Sequence, residues 1–347
     1  MWIINIKNVN IKERCAIMVE KVKVIKLKIG ILGTGAYGIA LASILYKNNN
    51  KIYMWSKFED EIFDLKRNRR SPKLNDYVIP NDFILTNNLE ETVNRADLII
   101  MVVPANFVED TTKLLKSYYK YQHICIASKG IEEGSGRFLH DIMRDILNTD
   151  RIGVLSGPTF AIDLANGVPA GVTVAAKNLD TCKIIKNAFV NYHFKVSFTD
   201  DMIGVSICGF MKNIIAIGAG IIDGMGYPIS SISLLITVAL KDVHNLIENL
   251  GGNPNTILEL SGIGDIILTC TSTKSRNYSF GKLIGECDDY EVMHNYVQNN
   301  TVEGYSALLN INKIVDNLDV DLPFISLMKD IVLQKRNKKD LINYIIK

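Results

Sequence analysis

Apolar residues along this chain follow two patterns, and the change comes near residue 200. Residues 26–32 (KLKIGIL) form a short apolar run with β-branched residues that breaks at glycine. Residues 51–55 (KIYMW) alternate as a strand does. Residues 97–103 (DLIIMVV), 123–128 (HICIAS) and 152–157 (IGVLSG) are continuous apolar runs that end at Pro104, Lys129-Gly130 and Gly157-Pro158. Residues 171–176 (GVTVAA) and 194–198 (FKVSF) add two more. Such unbroken runs suit strands buried on both faces. Residues 39–47 and 59–67 have helical spacing. Strands alternating with helices predict βαβ units and a mostly parallel sheet.

Beyond residue 200 helical periodicity dominates, over 202–222, 230–250, 255–260, 279–285, 291–299, 303–316 and 324–346. The pattern predicts a short N-terminal extension (1–26), an α/β domain (27–200) and a mainly α-helical domain (201–347), with the boundary near Thr199-Asp200-Asp201. The first 26 residues lack the apolar centre of a signal peptide, and Glu13 and Glu20 argue against a transit peptide. They read as a short extension, or as a start placed too early, with Met18 next available.

Composition narrows the function. A net charge of +2 gives no basis for nucleic acid or an anionic membrane as partner. The six cysteines are scattered and the five histidines form no ligand pair, so the expectation is reduced thiols, a cytoplasmic protein and no metal site. Residues 202–222 are long enough to span a bilayer. A lysine at the centre of a span costs about 2.5–3.5 kcal/mol, and Lys212 sits there beside Asn213. With no second candidate span read from the sequence, the segment is expected to be a buried helix of a soluble protein.

The first strand runs into Gly33-Thr34-Gly35-Ala36-Tyr37-Gly38, a G-x-G-x-x-G turn ahead of a helix. The first glycine permits the turn, the second lets a pyrophosphate approach the backbone, and the third lets helix and strand pack closely. Free amides at the helix start then face the phosphates. An NAD site usually carries an acid where the second strand ends, to hold the ribose 2′-hydroxyl. Here the residues are Trp55-Ser56-Lys57, and the first acid is Glu59. A hydroxyl and an ammonium lean the reading toward NADP(H), with NAD(H) as the alternative.

Ligands in doubly wound sheets bind beyond the carboxyl ends of the strands, where Lys129, Gly157 and Thr159 stand. In the helical half, Gly262-Ile263-Gly264-Asp265 and Thr271-Ser272-Thr273-Lys274-Ser275-Arg276-Asn277 interrupt apolar sequence. A guanidinium among short hydrogen-bonding side chains suits a phosphate. Lys212 shares a helix face with Cys208, Gly209, Ile215 and Ala216. Burial there lowers a lysine pKa and makes the amine a candidate general base. Gly209 is expected to leave room for a ligand, and Asp265 to orient the lysine.

Taken together, KIGILGTGAYGIALA, IIMVVP, ASKGIE, VLSGPTFA, DDMIGVSICGFMKNIIAIGAGIIDGMGY, GIGDIILTCTSTKSRN and TVEGY resemble the NAD(P)-dependent glycerol-3-phosphate dehydrogenases of the bacterial soluble type, in family order over residues 28 to about 323. The resemblance implies a Rossmann-type dinucleotide domain, a helical substrate-binding domain, a homodimer, and reversible reduction of dihydroxyacetone phosphate to sn-glycerol 3-phosphate for phospholipid synthesis. It assigns Gly33, Gly35, Ala36, Tyr37, Gly38, Lys57, Lys129, Ala161, Arg276, Val302 and Glu303 to the cofactor. It assigns Lys129, Gly157, Thr159, Lys212, Asn213, Asp265, Ser275, Arg276 and Asn277 to the substrate, with Lys212 and Lys129 catalytic. The chain departs from the family at Thr237-Val238-Ala239-Leu240, where Thr-Arg-Gly-Leu is usual, at Pro228-Ile229-Ser230-Ser231, and at Cys208-Gly209, where Gly-Gly is common. The alternatives are another two-domain dehydrogenase, of the 3-hydroxy acid type, and a non-catalytic NAD(P)(H) sensor.

Overall fold

The computed structural model describes residues 26–132, 134–315 and 318–347, so the expected extension lies outside the described residues except for Lys26. Eight strands form one sheet: β1 (Lys28–Leu32), β2 (Lys51–Trp55), β3 (Ile84–Thr86), β4 (Leu98–Met101), β5 (His123–Ile126), β6 (Ile152–Ser156), β7 (Ala170–Ala175) and β8 (Phe194–Thr199). Their order is β8-β7-β6-β5-β4-β1-β2-β3. Every pairing is parallel except β6 with β7. The order reverses at β1, so the carboxyl ends of β1, β2 and β4 open the crevice where such sheets take a dinucleotide.

The unbroken apolar runs have a direct cause. Ile100 and Leu98 pack into one core layer, whereas Ile99 and Met101 pack into the other. Helices α1 (Ala36–Lys47), α2 (Glu59–Asn68), α6 (Ala161–Ala165) and α7 (Leu179–Phe189) cover the first face. Helices α3 (Leu89–Asn94), α4 (Val108–Lys116) and α5 (Leu139–Leu147) cover the second.

Beyond β8 the regular elements among the described residues are helices: α8 (Met202–Gly224), α9 (Ile229–Asn249), α10 (Asp265–Cys270), α11 (Arg276–Glu286), α12 (Tyr290–Asn299), α13 (Glu303–Asn310), α14 (Asn312–Val315), α15 (Pro323–Val332) and α16 (Asp340–Ile345). Asp201 caps α8 by accepting from Gly204 N at 2.8 Å. Helix α8 is buried along nearly its whole length, with α9, α10, α11 and α13 packed around it. It crosses α11 in backbone contact: a Cβ on Gly281 would sit 2.0 Å from Ile217 O, and one on Gly220 2.0 Å from Tyr278 O. That close crossing brings the 275–277 segment against α8.

Several sequence expectations need correction. Residues 255–260 fall in a 3-10 turn, Pro254–Leu258, followed by extended Glu259, and the helix expected over 303–316 is interrupted at Ile311. The helix expected over 324–346 is broken after Val332, where Gln334 has φ +57° and Lys335 N turns back to Asp330 O. A polar Gln-Lys-Arg-Asn-Lys-Lys run has no apolar stripe to hold a helix there. The expectation of a single long apolar helix also fails, because α9 too is long and apolar enough to cross a membrane. Its buried Asp242 accepts from Ile325 N at 2.9 Å, tying it to the start of α15.

Candidate active site

The glycine turn has the local geometry its sequence requires. Gly33 has φ +125°, and a Cβ on Gly38 would lie 2.5 Å from Gly33 O. A Cβ on Gly35 would meet no atom within 4 Å, so the second glycine faces open space. Helix α1 starts at Ala36 with no side-chain cap. Uncapped amides facing open space fit a pyrophosphate, so the residues present suit a dinucleotide.

Lys212 lies on α8 and is 6% exposed. Its Nζ donates to Asp265 Oδ1 at 2.7 Å. Asp265 opens α10, directly after a π turn, Leu260–Gly264, that contains the irregular Gly262. The other carboxylate oxygen takes Lys129 Nζ at 3.5 Å, and Thr269 Oγ1 sits 3.4 Å from Oδ1. Two ammonium groups therefore share one buried carboxylate. Burial, together with the charge of Lys129, pushes Lys212 down to about 8, against the pull of Asp265. Burial also opposes the charge on Lys129, yet Asp265 and Tyr37 outweigh it and raise that pKa. Contact length alone would favour charge on Lys212; its side chain is the deeper of the two, 7% exposed against 15%, and desolvation decides.

Lys129 connects this cluster to the glycine turn. Its Nζ stands 5.4 Å from the ring centre of Tyr37, and Tyr37 OH pairs with Thr159 Oγ1 at 2.9 Å. Thr159 donates in turn to Gly157 O at 3.1 Å. Gly157 itself is packed against β7, where a Cβ would meet Gly171 O at 2.7 Å.

Asn213 connects the cluster to the other polar island. Its amide donates to Glu303 Oε2 at 3.0 Å and accepts from Asn277 Nδ2 at 2.9 Å. Asn277 Oδ1 accepts from Gly304 N at 2.8 Å. Val302 is buried at the N-cap of α13, one residue before Glu303. Ser275 is the buried N-cap of α11, its hydroxyl accepting from Tyr278 N at 3.3 Å. Arg276 follows and is exposed. Ala161 begins α6. Lys274 ties the loop to that helix through Asp163 at 3.0 Å. Lys129, Tyr37, Thr159, Lys212, Asn213, Asp265, Asn277 and Glu303 thus form one connected set.

Gly209 lines a small cavity together with Ser128, Lys129 and Ser156, so it leaves part of the room expected of it. The group nearest to it there is Ser156, whose Oγ would lie 3.1 Å from an added Cβ and has no hydrogen-bond partner among the described residues. The glycine lets α8 approach the end of β6. At the other end of the cleft, Lys57 is exposed, and the Ser56 hydroxyl is occupied by Glu61, at 2.6 Å. Sequence reasoning passed over Glu61 because it lies in the first turn of α2, four residues past Lys57. The acid run Glu59-Asp60-Glu61 was the available signal.

Models of the NAD-dependent glycerol-3-phosphate dehydrogenase N-terminus and C-terminus match residues 28–182 and 201–343. A protein of Fusobacterium nucleatum named glycerol-3-phosphate dehydrogenase (NAD(P)+) is 34% identical over 321 residues, covering 91% of this chain and 96% of its own. One of the same name from Staphylococcus haemolyticus is 32% identical, covering 90% and 96%. The crystal structure of glycerol-3-phosphate dehydrogenase from Coxiella burnetii superposes with a TM-score of 0.85 at 28% identity, covering 93% of this chain and 99% of that one. With both family halves matched in order on a two-part fold of the same shape, the chain belongs to the NAD-dependent glycerol-3-phosphate dehydrogenase family.

Proposed function

We propose that the protein catalyses the reversible, NAD(P)-dependent reduction of dihydroxyacetone phosphate to sn-glycerol 3-phosphate. The observation that carries this reading is the buried Lys212–Asp265–Lys129 cluster, linked through Tyr37 to the glycine turn and through Asn213 to Asn277. Gly33, Gly35, Ala36, Tyr37 and Gly38 hold the dinucleotide, with Lys57 at its adenosine end and Ala161, Val302 and Glu303 also lining its path. When bound, the dinucleotide supplies the hydride for C2 of the substrate. Lys212 delivers a proton to the oxygen on C2 during reduction and takes it back during oxidation. Lys129, held charged, stabilises negative charge growing on that oxygen. Arg276, with Ser275 and Asn277 at the start of α11, anchors the phosphate, and Gly157 and Thr159 border the substrate. Binding the remote phosphate fixes C2 for transfer. The assay is dihydroxyacetone phosphate-dependent oxidation of NADH or NADPH; turnover on 3-hydroxy acids instead, or saturable dinucleotide binding without turnover, would overturn the reading.

The pKa of about 8 at Lys212 sets a direction for pH. Oxidation needs the neutral amine, so the kcat for glycerol 3-phosphate should rise with pH and level off above about 8. Reduction needs the ammonium, so its kcat should fall above the same pH. Profiles measured in both directions check this, and parallel slopes would contradict it.

Arg276→Ala should raise the KM for dihydroxyacetone phosphate about 10- to 100-fold, the loss of a charged hydrogen bond of about 1.5–3 kcal/mol. An unchanged KM removes Arg276 from the phosphate site. The same reading makes the enzyme a cytoplasmic homodimer that feeds phospholipid synthesis. The five cysteines among the described residues are free thiols, which suits a reducing compartment.

A further inference from the structure

The end of β2 and the glycine turn are stitched together, with Gly33 N donating to Trp55 O at 2.9 Å. Ser56 and Thr34 therefore leave the sheet side by side. Glu61 reaches back from the first turn of α2 into this corner. Its Oε2 accepts from Ser56 Oγ at 2.6 Å, and its Oε1 meets Lys73 Nζ at 2.5 Å. Thr34 Oγ1 is buried without a full hydrogen bond of its own. Burial raises the Glu61 pKa, but Lys73, Ser56 and Thr34 overcome it, so the group is an anion. Two side chains from separate segments pin one carboxylate, which is more order than an exposed helix-start acid needs.

We propose that Glu61 is the ribose-binding acid of this chain, delivered from α2 instead of from the tip of β2, and that it selects NADH over NADPH. The inference rests on the dinucleotide occupying the glycine turn, and it runs against the lean toward NADP(H) drawn from Ser56 and Lys57. A carboxylate in this corner accepts from a ribose 2′-hydroxyl, and it repels a 2′-phosphate. The Ser56 hydroxyl is committed to Glu61. Lys73 tempers the repulsion by partly neutralising the carboxylate, so the two residues together set the degree of discrimination.

The test is direct titration of the purified protein with NADH and with NADPH, read by nicotinamide fluorescence without substrate. The wild type should bind NADH at least about tenfold more tightly. Glu61→Gln should bring the two dissociation constants within about threefold of each other, and Lys73→Ala should widen the gap. A structural role for the pair would weaken both dinucleotides alike and leave the ratio fixed. Equal or tighter NADPH binding by the wild type overturns the proposal. So does an unchanged ratio in Glu61→Gln or, should that variant not fold, an unchanged or narrowed ratio in Lys73→Ala. Binding of neither dinucleotide by the wild type removes the proposal together with the cofactor assignment, which separates that failure from the others.

Discussion

Lys212→Ala is expected to lower kcat in both directions by about 10²–10⁴-fold, the range for losing a general acid–base group, while the dissociation constant for the dinucleotide stays within about twofold. The two effects separate because of where the amine is held. Its hydrogen bond goes to Asp265, and its connection to the glycine turn is indirect, through Asp265, Lys129 and Tyr37. Removing it also leaves a sound electrostatic arrangement. Asp265 keeps Lys129 as its partner, so no buried charge is stranded and the melting temperature should fall only modestly. Lys212→Arg should not rescue turnover, since a guanidinium stays charged at all relevant pH and cannot act as base. Wild-type kcat in the alanine variant would end the assignment of the amine. A large loss of dinucleotide affinity would show that Lys212 serves binding instead.

Some of this was written plainly in the chain, and the reasons are physical. Strands such as β4 are buried on both faces, so nearly every residue must be apolar and the run stands out. The glycine turn is legible because its backbone conformation and close packing restrict residue type at Gly33 and Gly38. Strand β3 has only three residues and takes its register from β2, so no local pattern announces it. The antiparallel pairing of β7 with β6 is equally silent, because buried strands look alike in either direction. Helix α7 did leave a sign that a search for strands passes over: Asn178 caps it by accepting from Thr181 N. At the site, an ammonium in an apolar helix demanded a partner, and Asp265 was a natural candidate from its polar island. The sharing of that carboxylate with Lys129 was not legible, since the two lysines lie on different parts of the fold and only the packing of α8 against the sheet joins them. Glu61 was hidden for a related reason: the fold delivers an acid to the corner from a helix, where sequence spacing looks for it on a strand.

Asp265→Ala should be the most damaging single change at the site. It leaves Lys212 and Lys129 facing each other with no counter-charge in a buried place. Removing one partner of a buried ion pair typically costs about 3–5 kcal/mol, and chemical denaturation should show a loss of that order. The cost has a natural ceiling, because one amine can shed its proton. Lys212 is the one to do so, its pKa being already down at about 8 with the carboxylate present. Without Asp265 to oppose burial and the Lys129 charge, its pKa must fall further. The limb of the pH profile that reports Lys212 should then move to lower pH. Reduction, which needs the proton on Lys212, should fail at neutral pH, while residual oxidation should persist there. Asp265→Asn separates charge from shape. It keeps a hydrogen-bond acceptor for Lys212 and near-native packing, so it should shift the profile in the same direction with a smaller loss of stability. If both variants kept the wild-type stability and the wild-type profile, Asp265 could not be the group that holds the two lysines, and the proton-transfer role of Lys212 would lose its electrostatic basis.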